Sequence, residues 1–115
     1  MRVTNAPASR QRRRNRLKLA KGFYGARSKL FRTATEAVDR ALSLSTEHRK
    51  LRKRDFRQLW IARINAATRL QGMSYSKFMA GLIKAGVTLN RKSLSEIAIH
   101  DPEGFKAIVE IAKNA

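Results

Sequence analysis

The sequence predicts an all-α protein, with a long basic N-terminal helical extension followed by a small C-terminal helical globular domain. Three observations lead there. Apolar residues recur at spacings of three and four along much of the chain, and no stretch alternates with the period of two that marks a strand. Between residues 26 and 71 there is neither Gly nor Pro. Charge and apolar content also separate along the chain. Residues 1–58 carry 18 basic and 4 acidic side chains, a net +14, whereas residues 59–115 carry 8 and 4, a net +4. A basic extension is therefore expected over 1–58 and a small core over 59–115.

Residues 1–9, MRVTNAPAS, have no periodicity and are expected to be an extended tail. Residues 10–21, RQRRRNRLKLAK, are good helix formers and stop before Gly22, which suits a helix C-cap. On a wheel, the basic residues of this segment point in nearly every direction, so no single face can dock on a protein core. Two states suit such a segment: a disordered basic arm, or a helix that forms when phosphates surround it. Residues 22–25, GFYG, predict a tight turn. Phe23 and Tyr24 there either staple two helices together or stack on bases.

A long helix is expected from residue 26. Leu30, Ala34, Ala37, Ala41 and Leu44 form one stripe, widened by Phe31, Val38 and Leu42, and Glu36–Arg40 is an i, i+4 pair in the favourable order. Charged residues 47–54 interrupt the stripe, which resumes with Phe56, Leu59, Trp60, Ile64, Ala67 and Leu70. Unbroken, the 46 residues would run about 69 Å. The helix must therefore either bend near residues 43–46 or lie along an external support, and a long helix with a bend there is the preferred reading. Trp60 is expected to anchor the core, the alternative being a platform on which bases stack. Arg63 falls within the stripe, so its head must reach water, pair with Glu96 or Glu110, or clamp phosphate.

Beyond Gly72 the helices become short. Ser74 is expected to cap a helix over residues 75–85 that Gly86 ends, with Phe78, Met79, Leu82 and Ile83 facing inward. Asn90 or Ser93 caps the next, with Leu94, Ile97 and Ala98 inward, helped by Ile99, and Ser93 to Glu96 fits a capping box. Asp101-Pro102 starts the last helix, where Phe105, Ile108, Val109 and Ala112 recur at helical spacing.

The chain of 115 residues carries 26 Lys and Arg against 8 Asp and Glu, a net +18. Self-repulsion of that size works against a compact state and calls for a polyanionic partner. Nucleic acid is the commonest, through phosphate neutralisation and counterion release. With no Cys, disulfides, thiol nucleophiles and Cys-containing zinc sites are excluded, and His48 and His100 share no ligand spacing. No phosphate loop, paired-glycine fingerprint or catalytic serine motif is present. Glu96 and Asp101 are read as helix-start residues, not acid–base groups. No enzyme activity, catalytic residue, metal, cofactor or small-molecule substrate is expected. No apolar run approaches a membrane span. The start lacks the apolar segment of a secretory signal, so it is expected to belong to the working protein in a reducing cytoplasm.

Residues 53–69, KRDFRQLWIARINAATR, resemble the signature of the L-twenty family of bacterial-type large-subunit ribosomal proteins. Residues 17–28, LKLAKGFYGARS, resemble its N-terminal block, and residues 72–78, GMSYSKF, and 85–92, AGVTLNRK, its C-terminal domain. Two stretches depart from the family: the tail has one basic residue where members often carry several, and residues 43–48, SLSTEH, replace a stretch commonly aromatic and basic. The resemblance implies an N-terminal extension threaded into large-subunit ribosomal RNA and a globular domain seated on the same RNA. It also implies early binding that promotes subunit assembly, neighbouring large-subunit proteins as partners and a place in the cytoplasmic ribosome. Some members repress translation of their own mRNA, a further partner of the family.

On this reading the phosphate contacts are Arg10, Arg12, Arg13, Arg14, Arg16, Lys18, Lys21, Arg27, Lys29 and Arg32, then Arg49, Lys50, Arg52, Lys53, Arg54 and Arg57. Phe23 and Tyr24 are candidates for stacking. Arg63, Asn65, Arg69, Ser74, Tyr75, Ser76, Lys77, Arg91 and Lys92 are the candidates in the C-terminal domain. Composition alone also allows a sequence-tolerant DNA-binding protein with a helical reader domain. A duplex reader would present one basic face to a groove, and the all-round charge of residues 10–21 suits an enclosing RNA better. A cationic membrane-active protein would need a strongly apolar face opposite its densest charge, and this chain has none there.

Overall fold

A computed structural model describes residues 4–115. Its elements, in order, are α1 (Ala6–Leu19), α2 (Ala26–Lys29), α3 (Phe31–Leu70), α4 (Tyr75–Lys84), α5 (Arg91–His100) and α6 (Pro102–Lys113). The described residues contain no strand, and the chain is all-α as expected. None of its helices is long and apolar enough to cross a membrane. The chain divides into two compact units, Met1–Lys50 and Leu51–Ala115.

In the first unit, helix begins earlier than expected. Residues 6–9, read as tail, form the first turn of α1, with Ser9 N–H donating to the Asn5 carbonyl at 3.1 Å. Pro7 sits in that first turn, where its fixed φ is helical and its missing N–H costs nothing. Residues 1–3 of the expected tail lie outside the described residues. The C-cap of α1 is Ala20, not Gly22. Gly22, at φ +90°, instead serves the following turn, in which Phe23 N–H donates to the Ala20 carbonyl at 3.1 Å.

The long helix also starts later than expected. One turn, α2, ends at Leu30, whose extended backbone (φ −83°, ψ 122°) separates it from α3. No local breaker explains this, since Leu30 is neither Gly nor Pro. The interruption accompanies a packing solution: Ala34 and Val38 of α3 are buried with Ala20, and Leu17 and Phe23 cover them. The expected bend at residues 43–46 does not interrupt α3, which is helical throughout. Thr46 Oγ1 there donates back to the Leu42 carbonyl at 3.2 Å. Much of the predicted stripe stays outside: Leu30, Phe31, Leu42 and Leu44 are exposed.

In the second unit, Ile64, Phe78, Leu82, Leu94, Phe105, Val109 and Ala112 form the core, drawn from α3, α4, α5 and α6. The Phe78 and Phe105 rings lie 5.5 Å apart at 42°, a tilted pair contributing about 0.5–1.5 kcal/mol beyond its burial. Helix ends follow the glycines. Met73 N–H donates to the Thr68 carbonyl and Gly72 N–H to that of Arg69, while Val87 N–H donates to Leu82 and Gly86 N–H to Ile83. Both are paired-bond C-caps that need positive φ, which Gly72 (+73°) and Gly86 (+70°) supply. Of the two proposed caps of α5, Asn90 acts: its Oδ1 accepts from Ser93 N–H at 2.8 Å, which places Ser93 inside the helix and leaves no capping box. Asp101 caps α6 through Gly104 N–H at 2.9 Å.

Several inward assignments are corrected. Ile83 and Ile99 are exposed, as is Leu70 at 86%, because the core uses only one narrow face of each short helix. Two polar residues take buried places: Thr68, whose Oγ1 donates to the Asn65 carbonyl at 3.1 Å, and Ser95, whose hydroxyl has no partner among the described residues. Trp60 is not a core anchor. It is half-buried, outside the core, with its ring 6.2 Å from that of the exposed Phe56. Full burial would make Trp60→Ala cost about 3–5 kcal/mol. At this site the expected loss is no more than about 2 kcal/mol, checked by thermal unfolding of the full chain.

Candidate nucleic-acid interface

In the first unit, α1 carries no acidic residue in its first turn and buries none of its own side chains. Arg10, Arg12, Arg13, Arg14 and Lys18 are exposed, and so is Lys21 just beyond it. The helix is attached at its C-terminal end, where Leu17 and Ala20 join the small core and Arg16 forms an ion pair with Asp39 of α3. A helix basic on all sides therefore does dock, chiefly through its C-terminal end. The Arg13 guanidinium lies over the Phe31 ring at 5.8 Å, which holds the side chain without neutralising it.

The two aromatics of the turn separate. Phe23 is half-buried and covers the core, the stapling alternative, whereas Tyr24 is 93% exposed and free for a partner. Arg27, Lys29 and Arg32 are exposed; Arg32 approaches Glu36 at 3.9 Å, both groups well solvated, so the pair adds little. Glu36 does not pair with Arg40 as expected, and Arg40 meets no carboxylate among the described residues. Arg40 is a cation that the sequence reading set aside, because the i, i+4 spacing made it look satisfied. Arg49 is held by hydroxyls, its guanidinium donating to Ser45 Oγ at 2.6 Å and Thr46 Oγ1 at 3.1 Å. Lys50 beside it is exposed.

In the second unit, Arg52, Lys53, Arg54 and Arg57 are all exposed on α3, and Arg52 lies over the Phe56 ring at 5.6 Å. Arg63 is half-buried but pairs with neither expected carboxylate: Glu96 meets His100 at 3.4 Å and Glu110 meets Lys113 at 3.0 Å. Its charge stays available, as in the phosphate-clamp alternative. Asn65 is half-buried and Arg69 exposed. At the start of α4, Ser74 holds the N-cap position without a side-chain cap bond, contrary to expectation, so its hydroxyl is uncommitted. Ser76 and Lys77 are exposed beside it. Tyr75 and Arg91, from α4 and α5, are brought together: Arg91 Nε donates to Tyr75 Oη at 2.7 Å. Lys92 is exposed next to this pair.

Among the described residues, only Arg16 and Arg32 of these candidate cations reach a carboxylate. A protein surface ordinarily intersperses both signs. Here the cations are set out with almost nothing of the protein's own to neutralise them. Such a surface gains free energy from a dense array of phosphates.

A family model described as ribosomal protein L20 matches residues 2–108. The large ribosomal subunit protein bL20 of Clostridium botulinum (strain Hall) is 60% identical over 112 residues, covering 97% of this chain and 94% of that protein. The protein of the same name from Clostridium acetobutylicum is 61% identical over the same length and shares of both chains. With the helical architecture and the family's sequence blocks in place along nearly the whole chain, this protein belongs to the ribosomal protein L20 family.

Proposed function

We propose that the chain binds large-subunit ribosomal RNA directly, as a structural constituent of the bacterial-type large subunit in the cytoplasmic ribosome, and promotes assembly of that subunit. The relatives named as large-subunit proteins support the constituent role, and the family is a structural class, not an enzymatic one. The observation that carries RNA contact is α1: exposed arginines in all directions, with nothing acidic in its first turn. A duplex groove would satisfy one face of such a helix, whereas folded RNA can place phosphates around it.

The mechanism is physical. Arg and Lys of α1, the 22–25 turn, α2 and the exposed parts of α3 bring RNA segments together by cancelling their repulsion, with Arg favoured where two phosphate oxygens are met at once. The second unit, packed around its phenylalanine pair, recognises RNA shape through Arg63, Asn65, Arg69 and the residues 74–77 and 91–92, since the deep major groove of an RNA helix is too narrow to read. Neighbouring large-subunit proteins complete its surroundings. Arg16 must exchange Asp39 for phosphate, so its contribution is smaller than that of its free neighbours.

Competition binding at one stated salt concentration tests this. The full chain should prefer a large-subunit ribosomal RNA transcript to duplex DNA of equal length, and it should stay with the large subunit through a high-salt wash. Preference for the duplex would favour the DNA-reader alternative instead.

A further inference from the structure

We propose that a cleft beside the 22–25 turn holds a single unpaired nucleotide, its base against Tyr24 and its phosphates on Arg27 and Arg40. The inference rests on the RNA-binding reading above and specifies what part of an RNA the first unit takes.

The cleft has a volume of about 260 Å³. Ala37, Ala41 and Leu44 of α3 form its apolar floor, Phe23 and Tyr24 its aromatic side, and Arg27 and Arg40 its charged rim. Two alanines leave a shallow surface that a planar ring can cover, where longer side chains would fill it. The volume lies below the roughly 300–1,000 Å³ of clefts that enclose drug-sized ligands, so its occupant is small. Tyr24 is 93% exposed on a turn shaped by Gly22 (φ +90°) and Gly25 (φ +58°). A tyrosine so displayed gains from a partner that covers its ring. No acidic residue lines the cleft, and neither arginine meets a carboxylate among the described residues. An apolar face bordered by two uncommitted guanidiniums is complementary to a base with its phosphates. The nucleotide must be unpaired, because a base stacked within a helix has no free face to offer.

The test uses the full chain, a large-subunit ribosomal RNA transcript and chemical probing of every nucleotide. The parent should protect one unpaired nucleotide whose protection disappears in Tyr24→Ala and in Ala41→Leu, which fills the floor from a half-buried helical position. Binding of each should weaken about 5- to 150-fold, the range of a lost base–aromatic stack. Tyr24→Phe should keep both protection and affinity. Arg27→Gln and Arg40→Gln should each lower the salt slope by about 0.7–0.9. Unchanged circular dichroism confirms that the variants fold. If Tyr24→Ala and Ala41→Leu bind and protect the transcript like the parent while Arg12, Arg13 and Arg14 remain necessary, the nucleotide cleft is refuted and RNA binding stands. That result would leave the cleft to a peptide of a neighbouring protein. If the parent itself shows no preference for the transcript over duplex DNA, both proposals fall together.

Discussion

Gly81→Ala should destabilise the second unit by about 1–3 kcal/mol, and Gly81→Val by more. Gly81 is buried in α4, where α4 packs against α6. A Cβ built at this position would collide with the Ala112 carbonyl oxygen and lie 2.9 Å from its carbon. Those are backbone atoms, so relief requires α6 to move and cannot come from a side chain turning aside. Helix propensity alone argues the opposite sign, since Ala is better than Gly inside a helix by about 1 kcal/mol. The sign of the change therefore decides between local preference and tertiary contact. Each kcal/mol lost should lower the midpoint of thermal unfolding by roughly 4–8 °C for a unit of this size. A Gly81→Ala chain melting at or above the parent temperature would show that the two helices are not in backbone contact there.

The triple replacement of Arg12, Arg13 and Arg14 by Ala should weaken binding to a large-subunit ribosomal RNA transcript about 100-fold at 0.1 M salt, and lower the slope of log K against log salt by about 2–3 units. All three side chains are exposed, and none has a carboxylate partner. The loss should be similar for different RNA sequences, because phosphate contacts carry no base information. Arg16 is excluded from the set because its ion pair with Asp39 attaches α1 to α3, and removing it would mix folding with binding. Only the Arg13 contact with the Phe31 ring is lost from the protein itself, at a cost of about 0.5–1 kcal/mol. A slope equal to the parent's would mean that these arginines do not touch phosphate.

The helical ends of the second unit were legible in the sequence because each depends on one or two neighbouring residues. Gly86 after α4, Asn90 as one of two candidate caps of α5 and Asp101-Pro102 before α6 all act within a single turn of chain. The break at Leu30 was not legible. Residues 26 to 71 hold no breaker, and the interruption goes with the burial of Ala34 and Val38 around Ala20, a contact between distant positions. Trp60 was misplaced for a related reason. Periodicity puts it on the stripe of Ile64, but the short helices cover that stripe only around Ile64, Ala67 and Thr68, leaving Phe56 and Leu59 exposed. In the candidate interface, composition located the cations, yet Arg40 was hidden by the spacing that seemed to satisfy it, and only the turn of Glu36 towards Arg32 revealed it.

What the sequence determines by itself, then, is helix content, the polarity of charge along the chain and the family, because composition, local hydrogen bonding and ordered motifs are properties of neighbours. The tertiary structure decides which apolar residues are covered, which arginines keep a free guanidinium, and that Gly81 admits the backbone of α6. Those outcomes depend on the approach of segments far apart in the chain, where close packing leaves room for one arrangement of side chains and local propensity carries no record of it.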